Sequence, residues 1–365
     1  MDAGAQPPTG APVERAAPTA DGAGVHVVVG AGGATGRRLV AHLHAAGCRV
    51  RAVTRDGRDV GTPGVETAAA DATDGVGLAA ACRGAAAVHH CVMPVLARWT
   101  SDFPVVTDAL VDAASRAGAR LVYADDTWMY GRVDGPMTED SPWRPVSAKG
   151  VLRAWVAERV LHAAAAGRLQ VSVVRAGELY GPGVRSLVAG NVFRPALRGW
   201  PVQWVGDPDL PLTPTFIGDF AATLAAVGTR DSSDASVWHV PHPPATTGRA
   251  LAAEACRQAG TRLRLVSHGS ARVRLLGHVL PLAREGAEMV YQFEQPFVVD
   301  GAPAARAFAI TPTPYEQGVR QTLAALRGSG REAPTVGSDG GPSAAGGLGP
   351  DRRSGHRPSP GTAPG

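Results

Sequence analysis

VHVVVGAGGATGRRL, residues 25–39, is the stretch that decides the fold. A run of valines gives way to a loop with Gly30, Gly33 and Gly36, and the loop opens a helix-type pattern. The first glycine permits a tight turn, the second lets backbone N–H groups approach a pyrophosphate, and the third lets the helix pack against the sheet. The helix N-terminus then favours an anion. We therefore predict a dinucleotide site with these contacts: Gly30, Gly33, Ala34, Thr35 and Gly36.

The end of the second predicted strand, Val50–Thr54, bears on the choice of cofactor. An NAD-preferring site usually carries an acid there, about twenty residues after the glycines, to hold the ribose hydroxyls. Thr54 takes that place, Arg55 follows it, and Arg37 lies just past the last glycine. Because guanidinium groups pair well with a 2′-phosphate, we predict NADP(H) as the preferred cofactor and NAD(H) as the alternative. Two solvated surface charges are the other interpretation of Arg37 and Arg55.

Strand-type and helix-type patterns alternate outward from this stretch, which predicts an α/β fold with a Rossmann-type doubly wound parallel sheet. After Tyr180 the pattern loosens, which indicates a smaller, discontinuous C-terminal substrate-binding region. The predicted divisions are a disordered lead at 1–24, an NAD(P)-binding domain at 25–180, a mainly substrate-binding region at 181–326 and a disordered tail at 327–365. The predicted strands are 25–29, 50–54, 65–69, 87–92, 120–123 and 171–175, and the predicted helices are 35–46, 107–117 and 151–166.

Composition narrows the class of protein. Hydrophobic residues make up 44% of the chain, and no run of eighteen apolar residues or secretory apolar segment occurs, so we expect a cytoplasmic protein with no membrane partner. The net charge of +4 comes without a basic stripe interleaved with aromatics, so nucleic acid is not an expected partner. The 4 cysteines show no paired spacing, which is typical of a reducing compartment, and we predict no metal site.

Further motifs follow one another in a characteristic order. They are GAGGATG at 30–36, DATD at 71–74, VHHCV at 88–92, VYADDTWMYG at 122–131, EDSP at 139–142, YGPG at 180–183, TFIGD at 215–219 and PTPYEQG at 312–318. In this order the chain resembles the extended short-chain dehydrogenase/reductase family, the NAD-dependent epimerase/dehydratase group, over about 25–326. The resemblance implies that Asp71 contacts the adenine, and we add Ala72 and Val92 to the predicted cofactor contacts. It also implies a homodimer formed by the helices at 107–117 and 151–166.

The resemblance breaks down at the catalytic positions. The family uses a Ser/Thr to bind the substrate oxygen, a Tyr to transfer the proton and a Lys four residues later to lower the pKa of that Tyr. Asp126 stands at the Ser/Thr position, Lys149 at the Tyr position and Arg153 at the Lys position, ahead of a predicted helix. Asp126 and Lys149 then form either an acid–base pair beside Arg153 or a structural ion pair that closes an inactive site. Lys149 is the only lysine in the chain, which favours the functional interpretation.

The substrate is predicted from three residues. Glu178 replaces an Asn that contacts the substrate diphosphate in epimerase-like members, and a carboxylate would repel a diphosphate. We therefore predict a small carbonyl or alcohol substrate rather than a nucleotide-sugar. Tyr291, with neighbouring aromatics, is predicted to line an apolar pocket, ordinary core packing being the alternative. Tyr130 lies near the site and is a candidate hydroxyl, with a packed turn residue as the alternative.

Two functions of different classes fit these observations. One is an NAD(P)-dependent oxidoreductase or epimerase/dehydratase with a non-standard site. The other is a non-catalytic NADP(H)-binding regulator or sensor that kept the fold and lost the tyrosine. A fold alone does not separate them, because one fold hosts many functions.

Overall fold

The structure is a computed structural model that describes residues 24–230, 235–269, 273 and 287–328. The lead predicted at 1–24 lies outside these residues except for Gly24, and so does the predicted tail beyond Gly328. Arg327 and Gly328, which we predicted to begin the tail, still belong to the last helix.

Seven parallel strands form the central sheet, in the order β3-β2-β1-β4-β5-β6-β11. The strands of the structure are β1 Val25–Val29, β2 Val50–Thr54, β3 Glu66–Ala69, β4 Ala85–His90, β5 Arg120–Asp126, β6 Val171–Ala176, β7 Leu179–Tyr180, β8 Val202–Val205, β9 Pro211–Leu212, β10 Thr215–Phe216, β11 Ser236–His239, β12 Thr246–Thr247 and β13 Leu265–His268. The strands of the sheet are rich in buried β-branched and small apolar residues, as expected for strands covered on both faces. The predicted Rossmann-type parallel sheet is confirmed.

Helices cover both faces of this sheet. The helices are α1 Ala34–Ala45, α2 Gly75–Ala81, α3 Trp99–Ala117, α4 Ala148–Ala165, α5 Arg194–Arg198, α6 Ile217–Thr229, α7 Gly248–Ala259, α8 Ala302–Phe308 and α9 Tyr315–Gly328. On one face, Val27 of β1 shares an apolar cluster with Leu110 and Val156, and on the other its neighbour Val28 shares a second cluster with Leu39 and Leu224. Among the described residues, no helix is long and apolar enough to span a bilayer.

Two helix starts differ from the prediction. Helix α3 begins at Trp99 rather than at Thr107, because burial of Trp99 and Phe103 stabilises the extra turns even though Pro104 lies within the helix. Helix α4 begins at Ala148, where the Ser147 side chain accepts a hydrogen bond from the Gly150 N–H (3.0 Å). Lys149 is therefore in the first turn of the helix, not ahead of it as predicted.

The second half of the chain contributes to the sheet as well as to the smaller region. Strand β11 pairs with β6, and α6 packs on the α1 side of the sheet, although both lie in the range predicted as mainly substrate-binding. The remaining elements form a separate apolar cluster around Phe193, Trp204 and Phe216. The smaller region begins with β7, which follows directly on the carboxyl end of β6.

Candidate functional site

The glycine loop after β1 has the geometry of an anion cradle. Gly30 adopts φ +84°, and a Cβ there would lie 2.7 Å from the carbonyl of Cys91. A Cβ on Gly36 would lie 2.4 Å from the Gly30 oxygen, so the close approach of α1 to the loop requires glycine. Gly33 is the N-cap of α1, and no side chain of the described residues caps this helix. The N–H groups of Ala34 and Thr35 precede the intrahelical hydrogen bonds and are free for a phosphate.

Replacing Gly36 by Ala tests this cradle. The added methyl group would displace the loop at Gly30, and overpacking of this kind costs about 1–3 kcal/mol, or about tenfold to hundredfold in affinity for the dinucleotide. Gly75→Ala is the matched control, because no atom lies within 4 Å of the Cβ position in that helix. Fluorescence titration with NADPH measures both, and unchanged affinity in Gly36→Ala would contradict the assignment.

Two arginines lie near the glycine loop: Arg37 in α1 and Arg58 in the loop after β2. The Arg37 side chain donates a hydrogen bond to the Gly32 oxygen (3.1 Å), and an Arg58 guanidinium nitrogen lies 3.3 Å from the Cβ position of Gly32. Thr54 is buried and donates its hydroxyl proton to Asp56 (3.2 Å). Arg55, by contrast, is exposed, and its charge lowers the pKa of Asp71. The cations nearest the loop are therefore Arg37 and Arg58, where we had predicted Arg37 and Arg55.

The other predicted cofactor residues lie at the ends of β3 and β4. Asp71 accepts hydrogen bonds from the backbone and the hydroxyl of Thr73 (2.8 and 2.7 Å), and these bonds, together with the Arg55 charge, lower its pKa. Ala72 is buried beside it, and the Val92 nitrogen lies 2.8 Å from the Cβ position of Gly30. The predicted residues thus meet at the carboxyl ends of β1–β4, which is where open α/β sheets bind ligands.

A buried charge network adjoins this edge at the end of β5. Arg153 on α4 contacts both carboxylates of the strand end, Asp125 at 2.5 Å and Asp126 at 3.1 Å. Arg175 on β6 contacts the other oxygen of Asp125 at 3.2 Å. The side chains of Asp125 and Arg175 are fully buried and that of Arg153 is 2% exposed. Asp125 therefore compensates two buried guanidinium groups at once.

Asp126 has the chemistry of an acid–base group. Burial raises the pKa of its carboxyl to about 6, Arg153 opposes this rise, and the neighbouring Asp125 carboxylate supports it. One oxygen accepts a hydrogen bond from the Trp128 N–H (3.0 Å), and 20% of the side chain remains exposed. A carboxyl with a pKa near 6 changes charge close to neutral pH, as general acid–base catalysis requires.

Lys149 pairs with a residue that the sequence did not indicate. Its ammonium group contacts the Glu288 carboxylate, whose second oxygen accepts hydrogen bonds from the N–H groups of Ala148 (2.8 Å) and Lys149 (3.4 Å). We had predicted a pair between Lys149 and Asp126, but the carboxylate that meets Lys149 is Glu288, and the cation that meets Asp126 is Arg153. The start of α4 at Ala148 explains this, because it places Lys149 at the helix N-terminus.

Tyr130 is a packed turn residue, the alternative given for it in the sequence analysis, rather than a hydroxyl open to a substrate. It is fully buried, and its hydroxyl is hydrogen-bonded to Arg175 (2.6 Å) and to the His239 ring (2.7 Å). Burial raises the pKa of this hydroxyl to about 12. The residue therefore extends the buried network from Asp125 to β11, and its hydroxyl is engaged by Arg175 and His239.

The predicted substrate residues Glu178 and Tyr291 lie in the smaller region. Glu178 accepts a hydrogen bond from the Val188 N–H (3.2 Å), and burial raises the pKa of its carboxyl. Tyr291 is 3% exposed and packs in the apolar cluster of that region. A narrow gap, too small to hold a water molecule, is lined by Glu178, Leu212, Thr213, Pro214, Gln292, Phe293 and Phe297, and Tyr291 does not line it. None of these lining residues carries a positive charge.

Sequence reasoning missed four residues of the site. The sequence could have indicated Asp125, because two adjacent acids end a strand at the edge of the sheet where ligands bind. It could have indicated Arg175 in the same way, because this residue lies near the end of the neighbouring strand. No pattern in the sequence indicated Arg58 or Glu288. Arg58 reaches the loop only through the turn after β2, and Glu288 meets Lys149 from 139 positions away in the chain.

Comparison with known proteins identifies the family of this chain. The profile of the NAD dependent epimerase/dehydratase family matches residues 26–233. No curated protein matches the chain. The structure of MoeE5 in complex with UDP-glucose and NAD is 25% identical, with a TM-score of 0.68, over 84% of this chain and 99% of that chain.

Two more distant structures share the fold. The UDP-glucose 4-epimerase of Thermus thermophilus in complex with NAD is 20% identical, with a TM-score of 0.69, over 84% of this chain and 99% of that chain. The UDP-glucuronic acid 4-epimerase of Bacillus cereus, in complex with UDP-glucuronic acid and NAD, is 15% identical, with a TM-score of 0.68, over 83% and 99%. Because the family profile covers more than half of the chain, this protein belongs to the NAD dependent epimerase/dehydratase family.

Proposed function

We propose that the protein is an NAD(P)-dependent oxidoreductase or epimerase/dehydratase in which Asp126 replaces the family's tyrosine as the acid–base group. The observation that carries this proposal is the Asp126 carboxyl, with a pKa of about 6, at the strand edge where the glycine cradle lies. A bound nicotinamide would supply the hydride acceptor or donor. The cradle fits its pyrophosphate, and the similar MoeE5 structure holds NAD.

In this mechanism the residues of the chain move and hold a proton. Asp126 accepts the hydroxyl proton of an alcohol substrate in oxidation and returns it to the product oxygen in reduction. Arg153 holds the carboxylate in place through its 3.1 Å contact. Lys149 contributes a positive charge at the start of α4 rather than a base, because its ammonium group is engaged by the Glu288 carboxylate.

We propose NADP(H) as the preferred cofactor. The end of β2 carries Thr54 in place of a ribose-binding acid, and Arg37 and Arg58 flank the loop at Gly32. A charge-assisted contact to a 2′-phosphate contributes about 1.5–3 kcal/mol.

Arg58→Ala is therefore expected to weaken NADPH binding by about tenfold or more and to leave NADH binding within about twofold. Arg116→Ala, an exposed arginine at the far end of α3, is the control and should change neither. Titration of the three proteins with both cofactors decides the point. Tighter NADH than NADPH binding by the wild type would overturn the preference.

We propose a small carbonyl or alcohol substrate. The buried carboxyl of Glu178 provides no positive charge for a diphosphate. A nucleotide-sugar is the second candidate, because MoeE5, at 25% identity, was solved with UDP-glucose. Incubation with NADPH and benzaldehyde, diacetyl or cyclohexanone, or with UDP-glucose and NAD, separates the two.

The non-catalytic regulator is the competing function. It predicts NADPH binding without turnover of any of these probes, whereas loss of NADPH absorbance supports the enzyme. We further propose a cytoplasmic homodimer. All four cysteines are free thiols, and α3 and α4 expose Val105, Val151 and Trp155 on the helices that we expect to meet a second copy.

A further inference from the structure

The segment Glu288–Phe293 connects the smaller region to both catalytic elements. At one end, Glu288 binds the first turn of α4 through the N–H of Ala148 (2.8 Å). At the other, the Gln292 side-chain oxygen accepts a hydrogen bond from the indole N–H of Trp128 (3.1 Å), two residues beyond Asp126. Tyr291 lies between these two anchors, in a short 3₁₀ turn. Its backbone is therefore held between the start of α4 and the turn that follows Asp126.

The Tyr291 hydroxyl is buried and unsatisfied. The residue is 3% exposed, its ring packs against Phe297 with centroids 6.3 Å apart, and the Arg132 guanidinium lies 5.9 Å above the ring. The hydroxyl has no hydrogen-bond partner among the described residues. Leaving such a group unpaired costs about 1–3 kcal/mol. The hydroxyls of Tyr180 and Tyr315 are unpartnered as well, but only for Tyr291 among these three does the Asp126 carboxylate raise the pKa, so a ligand at Asp126 would satisfy the Tyr291 hydroxyl.

We propose that Tyr291 is a catalytic residue whose hydroxyl donates a hydrogen bond to the reacting oxygen of the substrate, the role that the family gives to the Ser/Thr absent at position 126. This inference rests on the proposed function and deepens it. The family's Ser/Thr and tyrosine are thus replaced by Tyr291 and Asp126. Asp126 transfers the proton, and Tyr291 orients the oxygen and stabilises its developing charge.

The electrostatics of the site favour a donor rather than a second base. Burial raises the pKa of Tyr291 well above its ordinary value, and the carboxylates of Asp126 and Glu288 raise it further, although Arg132 opposes them. The hydroxyl therefore stays protonated at neutral pH. In reduction a bound reduced nicotinamide would supply the hydride for the carbonyl carbon, and the carbonyl oxygen, which gains the π pair, takes the Asp126 proton. The proton of Tyr291 stays on Tyr291.

Tyr291→Phe tests the proposal, because it removes only the hydroxyl oxygen. We expect kcat to fall by about 10²–10³, as for loss of one oxyanion donor, with NADPH affinity within twofold of wild type. The midpoint of thermal unfolding should be unchanged or raised, because an unpaired polar group is removed from the interior. Tyr315→Phe is the matched control: its hydroxyl is also buried without a partner but lies in a different part of the smaller region, so activity should stay within twofold.

The results for Tyr291→Phe distinguish a failure of this inference from a failure of the proposed function. The assay uses whichever probe the wild type turns over. Wild-type activity retained in Tyr291→Phe overturns this inference and leaves the proposed function intact. A parallel loss of activity, NADPH affinity and thermal stability assigns Tyr291 a structural role and also overturns it. A wild type that binds NADPH and turns over none of the probes contradicts the proposed function itself, and the inference falls with it before any variant is compared.

Discussion

Asp126→Asn is expected to lower kcat by about 10²–10⁴, the usual contribution of a positioned acid–base group, while the protein still folds and binds NADPH. The amide keeps the shape of the side chain and its acceptor for the Trp128 N–H, but it cannot carry the proton. Asp134→Asn, an exposed acid in the following turn, is the control and should retain full activity. Steady-state assays in both directions measure the effect, and an active Asp126→Asn would remove this carboxyl from the mechanism.

The pH dependence follows from the same carboxyl. Its pKa is raised to about 6, so the group is protonated below that pH and ionised above it. Oxidation needs the carboxylate as proton acceptor, so its rate should rise as the pH increases through about 6. Reduction needs the protonated carboxyl as donor, so its rate should fall over the same interval. In Asp126→Asn both limbs should disappear from the residual activity, and an unchanged profile in that variant would assign the titration to another group.

The features predicted correctly from sequence are those fixed by local chemistry. The stretch from Val25 to Leu39 contains a strand, a turn that only glycine permits and a helix start, and each follows from its own residues. The strand edge was predictable too, because carboxyl ends of parallel strands meet on one side. For that reason Gly36, Thr54, Asp71 and Val92 come together as expected, although they are far apart in the chain.

Local sequence patterns did not predict which charged side chains contact each other within the site. Lys149 and Asp126 were assigned to each other because both replace members of one family triad. The structure instead brings Glu288 to Lys149, by a long excursion of the chain that no local pattern encodes. Tyr130 was a candidate for the pocket, but Arg175 and His239 occupy its hydroxyl. A motif specifies which side chains lie near the site, while the rest of the fold decides what each one contacts.

Asp125→Asn is expected to be the most destabilising single change in the network. The carboxylate compensates Arg153 and Arg175, both buried, and the loss of one partner from such a network costs about 3–5 kcal/mol because buried charge is left uncompensated. At about 2–4 °C per kcal/mol, the midpoint of thermal unfolding should fall by about 6–20 °C. Asp112→Asn breaks an exposed pair with Arg168 and should shift the midpoint by no more than about 2 °C.

Asp125→Asn also tests the function, because Asp125 contacts the same arginine, Arg153, that contacts the acid–base group Asp126. Arg153 also holds Asp126, so an arginine released from Asp125 would turn wholly to Asp126 and lower the pKa of that carboxyl. Residual activity of Asp125→Asn, measured well below its unfolding temperature, should therefore show its pH limb displaced to lower pH than in the wild type. A stable variant with an unshifted limb would show that Asp125 supports neither the buried arginines nor the acid–base group.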